Sequence, residues 1–182
     1  RSRRFCLDTR SCKMREKCNF SLFSWALIYF WKCYNLIQMK YNEAKIGRVF
    51  VALLEDGEDL LVEIKELIRQ ENLRAGFIHL VGATGGSKMV LGPEKKEYPP
   101  KPHFFEFDDA REFLGLGIFA WEGEEPKIHL HAGIGHSSSS EVGCIREKSK
   151  VYITTEVVIQ EIIDIELVRE IDPRYNASLL KF

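Results

Sequence analysis

Residues 46–70 read IGRVFVALLEDGEDLLVEIKELIRQ, and the change of period inside this stretch decides the fold class. Ile46–Leu54 is rich in β-branched and aromatic residues and ends at the turn cluster Glu55-Asp56-Gly57, which predicts a strand. From Leu60 the apolar positions Leu60, Leu61, Ile64, Leu67 and Ile68 recur at helical spacing, with Asp56 as the expected N-cap and Glu58 and Asp59 in the first turn. The polar residues Glu63, Lys65, Glu66, Arg69 and Gln70 are left as a solvated outer face. One strand followed at once by one amphipathic helix is the signature of a helix laid on a sheet.

Outward from this unit the chain is mostly strand. Gly76–Gly82 and Ser87–Gly92 read as two strands separated by a tight turn or bulge at Ala83-Thr84-Gly85-Gly86. That glycine cluster lacks the Lys-Ser/Thr ending of a phosphate-binding loop and does not match GxGxxG, so nucleotide binding is rejected. PEKKEYPPKP, residues 93–102, cannot enter a central strand and reads as a surface loop. Further strands are expected at His103–Phe107, Glu112–Trp121, Lys127–Ile134 and Val142–Glu147, and in a long run from Lys150 to about Arg169. Only the helix supplies a crossover long enough for parallel neighbours. The expectation is an α/β domain of the α+β type: a mainly antiparallel, curved β-sheet covered by one main amphipathic helix.

The 182 residues, 45% apolar and 29% charged, suffice for one well-buried core. Residues 1–38 differ in kind, with eight basic residues against Asp8 and Glu16 and four of the five cysteines (Cys6, Cys12, Cys18, Cys33). Phe20–Ile37, FSLFSWALIYFWKCYNLI, is apolar but interrupted by Lys32, and its uninterrupted part falls short of the ~20 residues that span a bilayer. Residues 1–38 are therefore read as a leader: a spurious extension upstream of a natural start at Met39, with a signal or membrane anchor and a genuine packing segment as the alternatives. The domain is placed at 39–171 and a C-terminal tail at 172–182. From Met39 onward 18 basic residues face 25 acidic ones, a net charge of −7. Without the leader nothing directs the chain out of the cytoplasm.

The chemically specific element is Ile128-His129-Leu130-His131-Ala132. Residues two apart on a strand share a face, so both imidazoles can meet one ion. After the polar loop 136–141 a hairpin would bring Cys144 beside them, and two imidazoles with one thiolate suit Zn²⁺ with a fourth position open. His136 is a spare ligand candidate, whereas His79 and His103 are isolated in strand contexts. Paired structural histidines and a small buried cysteine are the alternative reading.

Three pieces occur in the order GRVFVALLEDGEDLLVEIKELIRQENLRAGFIHLVGATGGSKMVLG, EFLGLGIFAWEGEEPKIHLHAGIG and VGCIREKSKVYITTEVVIQEI. Together they resemble the plants-and-prokaryotes-conserved (PPC) domain family, prokaryotic type, along nearly the whole domain. The resemblance implies an α/β fold with one major antiparallel sheet, similar to that of zinc-dependent acetolactate decarboxylase, assembly as a homotrimer, and a metal site at the His-Leu-His motif. His129 and His131 match that motif, while Val142-Gly143-Cys144 stands where many members have Gly-Gly-His. Plant members carry AT-hooks and a Gly-Arg-Phe-Glu-Ile-Leu segment; here no Arg-Gly-Arg-Pro occurs and the latter stretch reads Asp109-Ala110-Arg111-Glu112-Phe113-Leu114.

Three functions follow. The resemblance implies a DNA-associated or regulatory module, with DNA or a transcription-associated protein as partner, although an acidic domain is repelled by phosphates unless its basic residues cluster. The second is a zinc-dependent enzyme, lyase- or decarboxylase-like, acting on a small anionic substrate, with Arg146 two residues past Cys144 as carboxylate holder and Glu112 or Glu156 as general acid or base. The third is a non-catalytic scaffold or ligand sensor with a structural metal.

Overall fold

The computed structural model describes residues 39–182; the expectations for the leader, 1–38, lie outside the described residues. Residues 43–182 form one compact unit. It holds eight strands, β1 Lys45–Glu55, β2 Ala75–Pro93, β3 Pro102–Phe107, β4 Arg111–Glu122, β5 Glu125–His136, β6 Ser139–Ile163, β7 Val168–Asp172 and β8 Ala177–Lys181, with the single helix α1, Leu60–Gln70, between β1 and β2. The α+β reading is correct: the unit is mostly sheet with one short helix.

The sheet runs β3-β2-β6-β5-β4-β7-β8, with β1 on β6 and an added β2–β4 pairing, so the ladders close a ring β2–β6–β5–β4–β2. All pairings in the ring are antiparallel; the one parallel contact joins β4 to β7 at Trp121 and Val168. Side chains alternate across these strands. Ile78, Leu80, Phe113, Phe119, Leu130, Ala132, Ile134, Val157 and Ile159 fill the inner face together with Leu60, Ile64 and Ile68 of α1.

Two predicted breaks are absent. The expected pair Gly76–Gly82 and Ser87–Gly92 is one 19-residue strand, β2, because Ala83-Thr84-Gly85-Gly86 makes bulges in the β2–β6 ladder instead of a turn. The Thr84 hydroxyl serves backbone groups here, donating to Lys150 O at 2.9 Å and accepting from the Gly86 N–H, while the buried hydroxyls of Ser87 and Ser149 satisfy each other through a 2.8 Å hydrogen bond. Likewise Val142–Glu147 and the first part of the Lys150 run are one 25-residue strand, β6. It bends at Lys148 and Ile153, which have φ values of 55° and 60°. An isoleucine in the left-handed region is uncommon, and the bend is held because the Ile153 N–H donates to Asp56 Oδ1 at 2.9 Å. That contact takes Asp56 away from the helix. The N-cap is Asp59, whose carboxylate accepts from the Val62 N–H. Residues 172–182 include β8, which pairs with β7 as a hairpin.

Arg48 ties three elements together. Its Nε and backbone N–H donate to Glu161 of β6 at 3.0 and 3.1 Å, and its Nη atoms donate to Glu71 Oε2 and to the Glu71 carbonyl at the end of α1. These bonds hold the Glu161 carboxyl below its ordinary value of 4.5. A depressed carboxyl stabilises the fold above its unfolded value, and that contribution is lost as pH falls through the folded value. Glu161→Gln should therefore lower Tm by roughly 2–4 °C at neutral pH, with the gap between variant and wild type closing below about pH 4.5. Melting curves over a pH series, followed by circular dichroism, check this; a gap that does not narrow as the pH is lowered from 4.5 contradicts it.

Candidate metal centre

His129 and His131 project from the outer face of β5, alternating with Leu130 and Ala132, which point into the core. Their Nε2 atoms are 3.1 Å apart and their rings meet edge to face, 78° between planes. The β5–β6 hairpin sets Cys144 directly opposite His131, on the same face. One ligand atom from each of the three residues lies within 4.8 Å of the others. Zn–N bonds of about 2.0–2.1 Å and Zn–S bonds of about 2.3 Å put tetrahedral ligand atoms about 3.3–3.6 Å apart, so the set fits a zinc-sized ion with small side-chain adjustments.

Cys144 is buried and belongs to no disulfide. Burial pushes its thiol up, while the charges of Arg146 and Arg169 oppose that shift. His129 is exposed on one side, yet desolvation is the largest cause of its lowered pKa, followed by His131, Arg169 and Arg146. A neutral imidazole is the form that ligates.

The other candidates separate clearly. Arg146 is exposed on the strand that carries Cys144, and its charge reaches both Cys144 and His129. His136 sits at the far end of β5, where its Nδ1 lies 3.8 Å from Asp109. Glu112 is opposite Gly135, four residues along β4 from the Leu116 that faces His131. Glu156 lies opposite Val81 on the far side of β2 and β4 from β5. Among the described residues the cluster contains no carboxylate. A cleft of about 250 Å³ between α1 and the β1–β6 pair, lined by Glu58, Glu63, Glu66 and Leu67 among others, lies elsewhere.

Arg169 escaped the sequence reading. It is 6% exposed on β7, which is joined to β4 by the bridge of Val168 to Trp121, and its charge acts on His129 and Cys144. Nothing in a local pattern of alternating strand residues marks that approach.

The Plants and Prokaryotes Conserved (PCC) domain matches residues 41–163, from ahead of β1 to the end of β6. The chain belongs to this family, the one written PPC above. Among solved structures, a metal-containing protein from Archaeoglobus fulgidus is 23% identical with a TM-score of 0.69, covering 79% of this chain and all of its own. A PPC protein from Pyrococcus horikoshii is 21% identical with a TM-score of 0.69, over 79% and 98% of the two chains. A candidate DNA-binding protein from Ralstonia eutropha JMP134 is 17% identical with a TM-score of 0.62, over 72% and 90%. At these identities the likeness establishes the fold. The bifunctional protein GlmU of a Synechococcus strain is 26% identical over 129 residues, and the chain spans 19% of that protein's length. Among the described residues no helix is long and apolar enough to cross a membrane.

Gly143 shows how closely β6 is held beside the ligands. A Cβ built there would fall 2.7 Å from Val90 O and 3.0 Å from the Leu91 side chain, so any larger residue must push β2 away from Cys144. Gly143→Ala should cost about 2 kcal/mol of stability and displace the thiol. Urea titration checks the first effect and thiol accessibility to a small electrophile the second; an alanine variant with unchanged midpoint and reactivity contradicts the contact.

Proposed function

We propose that this PPC domain binds one transition-metal ion, zinc by the chemistry of the donors, through His129, His131 and Cys144, and that it works as a homotrimer in regulatory, DNA-associated complexes of the cytoplasm. The observation that carries the metal reading is the convergence of three ligand atoms within 4.8 Å on one face of a hairpin. When bound, zinc would supply a Lewis-acid centre with an open position. A reducing cytoplasm keeps the Cys144 thiol available as a ligand.

Self-association is supported by the outer face of the sheet. Val51, Val81, Leu114, Leu116 and Val142 are between 53% and 80% exposed, and the register sets Val81 beside Leu114 and Leu116 beside His131. A contiguous apolar face of this kind calls for a partner, and a second and third copy of the chain supply one. The metal ligands lie in the same surface.

For the DNA-associated role, contact through a partner protein agrees with the charge better than direct contact with phosphates. The domain from Met39 carries −7, and Lys88, Lys148 and Lys150 each lie within 4.0 Å of a carboxylate, of Glu147, Glu106 and Asp59 respectively. The enzyme reading has less support, because neither Glu112 nor Glu156 stands where it could move a proton at the ligands.

Elemental analysis with light scattering on the purified protein tests the main proposal. About one metal per chain and a mass three times the 21.1 kDa chain are expected, with metal lost in His129→Ala and Cys144→Ala while the far-ultraviolet spectrum is retained. Metal-free wild-type protein rejects the site, and a monomer rejects the assembly. In the second test, duplex DNA titrated with the protein at ~0.15 M salt should show no direct, salt-sensitive binding. Micromolar binding with a steep salt slope would overturn the indirect role.

A further inference from the structure

β1 is an edge strand without the usual protections. Its one neighbour among the described residues is β6, so its other edge is open along an 11-residue strand. β3 and β8, at the two ends of the sheet, are six and five residues long, and β3 opens on Pro102. Short length, proline and lysine keep an edge from pairing with another chain. Between Arg48 and Glu55, β1 has none of these: the stretch is Val49-Phe50-Val51-Ala52-Leu53-Leu54, and Val49, Val51 and Leu53 are 54%, 80% and 66% exposed.

Neighbouring contacts fix which backbone groups face outward. The Glu55 N–H donates to Glu58 Oε2 at 2.8 Å and the Glu55 carbonyl accepts from the Glu58 N–H. Thr154 and Gln160, the β6 partners of Glu55 and Val49, turn their carbonyls toward Gly82 and Gly76 of β2, away from β1. Orientation alternates along an antiparallel strand, and the β1–β6 register runs unbroken from Val49 to Glu55. Val49, Val51 and Leu53 therefore present their N–H and C=O groups at the open edge, and Glu58 closes it at one end.

Beside this edge runs the cleft of about 250 Å³ between α1 and the β1–β6 pair. Ala52, on the helix side of β1 between the larger Phe50 and Leu54, leaves it open above Val157 and Ile159. Its acidic wall is Glu58, Glu63 and Glu66, and no lysine or arginine lines it. Arg69 and Arg48, near the end of α1, are bonded to other carboxylates, those of Glu125 and of Glu161 and Glu71.

We propose that the β1 edge and this cleft together dock an extended segment of a partner protein in which apolar and basic residues alternate. The segment's backbone pairs with Val49, Val51 and Leu53, adding a strand to the sheet. Its apolar side chains continue the exposed row of Val49, Val51 and Leu53 on the outer face. Its basic side chains fall on the helix side, where their stems cover the apolar floor and their charges meet Glu58, Glu63 and Glu66. A second copy of β1 suits the cleft less well, because antiparallel pairing would lay another glutamate-bearing α1 on the same side of the sheet. None of the metal ligands lines the cleft, so failure of either reading leaves the other intact.

The test follows the anisotropy of a labelled, end-blocked heptapeptide of alternating valine and lysine as the protein is added. It should bind, with about tenfold weaker binding when the same residues are arranged as a valine block and a lysine block, and none when glutamate replaces lysine. Methylation of single peptide amides should weaken binding about tenfold in one of the two alternating sets and leave the other unchanged. Val51→Pro removes an outward N–H and no ladder bond, and should weaken binding about tenfold. Glu63→Gln with Glu66→Gln should weaken it about two- to fivefold and flatten its salt dependence between ~0.05 and ~0.5 M. Equal effects of methylation at every position would overturn edge pairing, and this readout decides should Val51→Pro fail to fold. Equal binding of the block or glutamate peptide would overturn recognition by alternation or by charge. Affinity that rises as the protein is diluted would show a second copy covering the edge, and would overturn the assignment to a partner.

Discussion

Twenty-five consecutive residues of β6 carry backbone donors and acceptors that must all find partners, and the domain is organised around meeting that demand. The strand pairs with β5 along its first part, with β2 from Cys144 to Glu161 and with β1 along its last part. No straight strand could serve three neighbours in this way while closing a ring with β4. The positive-φ bends at Lys148 and Ile153 turn one strand into two segments with different neighbours. Thr84 bonds backbone atoms at the bulges, and the buried Ser87 and Ser149 hydroxyls satisfy each other. The core, the placement of α1 and the position of Cys144 all depend on this path.

The sheet-with-one-helix class was legible because it rests on period, and the apolar spacing of Leu60, Ile64 and Ile68 survives as the buried stripe of α1. Residues 83–86 and 148–149 were harder to read. Glycine and polar clusters ordinarily stop strands, and only cross-strand hydrogen bonds from distant residues let these two continue. The cap moved from Asp56 to Asp59 for a similar reason: a local pattern offers several carboxylates, and a tertiary donor, the Ile153 N–H, claims the first. His129, His131 and Cys144 were legible from alternation and hairpin logic. Arg169 was not, because its proximity is set by a one-residue bridge between elements far apart in sequence.

Electrostatics divides the surface into two regimes. Ion pairs such as Lys148 with Glu106 and Lys45 with Asp164 form in the open, where each contact contributes little. Around Cys144 the balance is different: a buried thiol, a pair of imidazoles and a guanidinium share a partly desolvated space. Few groups there have a carboxylate to offset them. Charge effects at this end of the hairpin therefore act at short range and with weak screening, unlike those on the rest of the domain.

The pairing of Lys45 with Ile163 joins the first residue of β1 to the last of β6. A ribosome delivers these two residues at opposite ends of the domain's synthesis, so β1 and α1 emerge long before the strand that completes their sheet. Until residue 163 leaves the exit tunnel, the apolar stripe of α1 and the inner face of β2 have no finished core to enter. Contacts this distant in sequence make folding slow and leave the nascent domain open to wrong pairings. The same long strand that unites the mature structure thus sets the moment at which the chain can first become native.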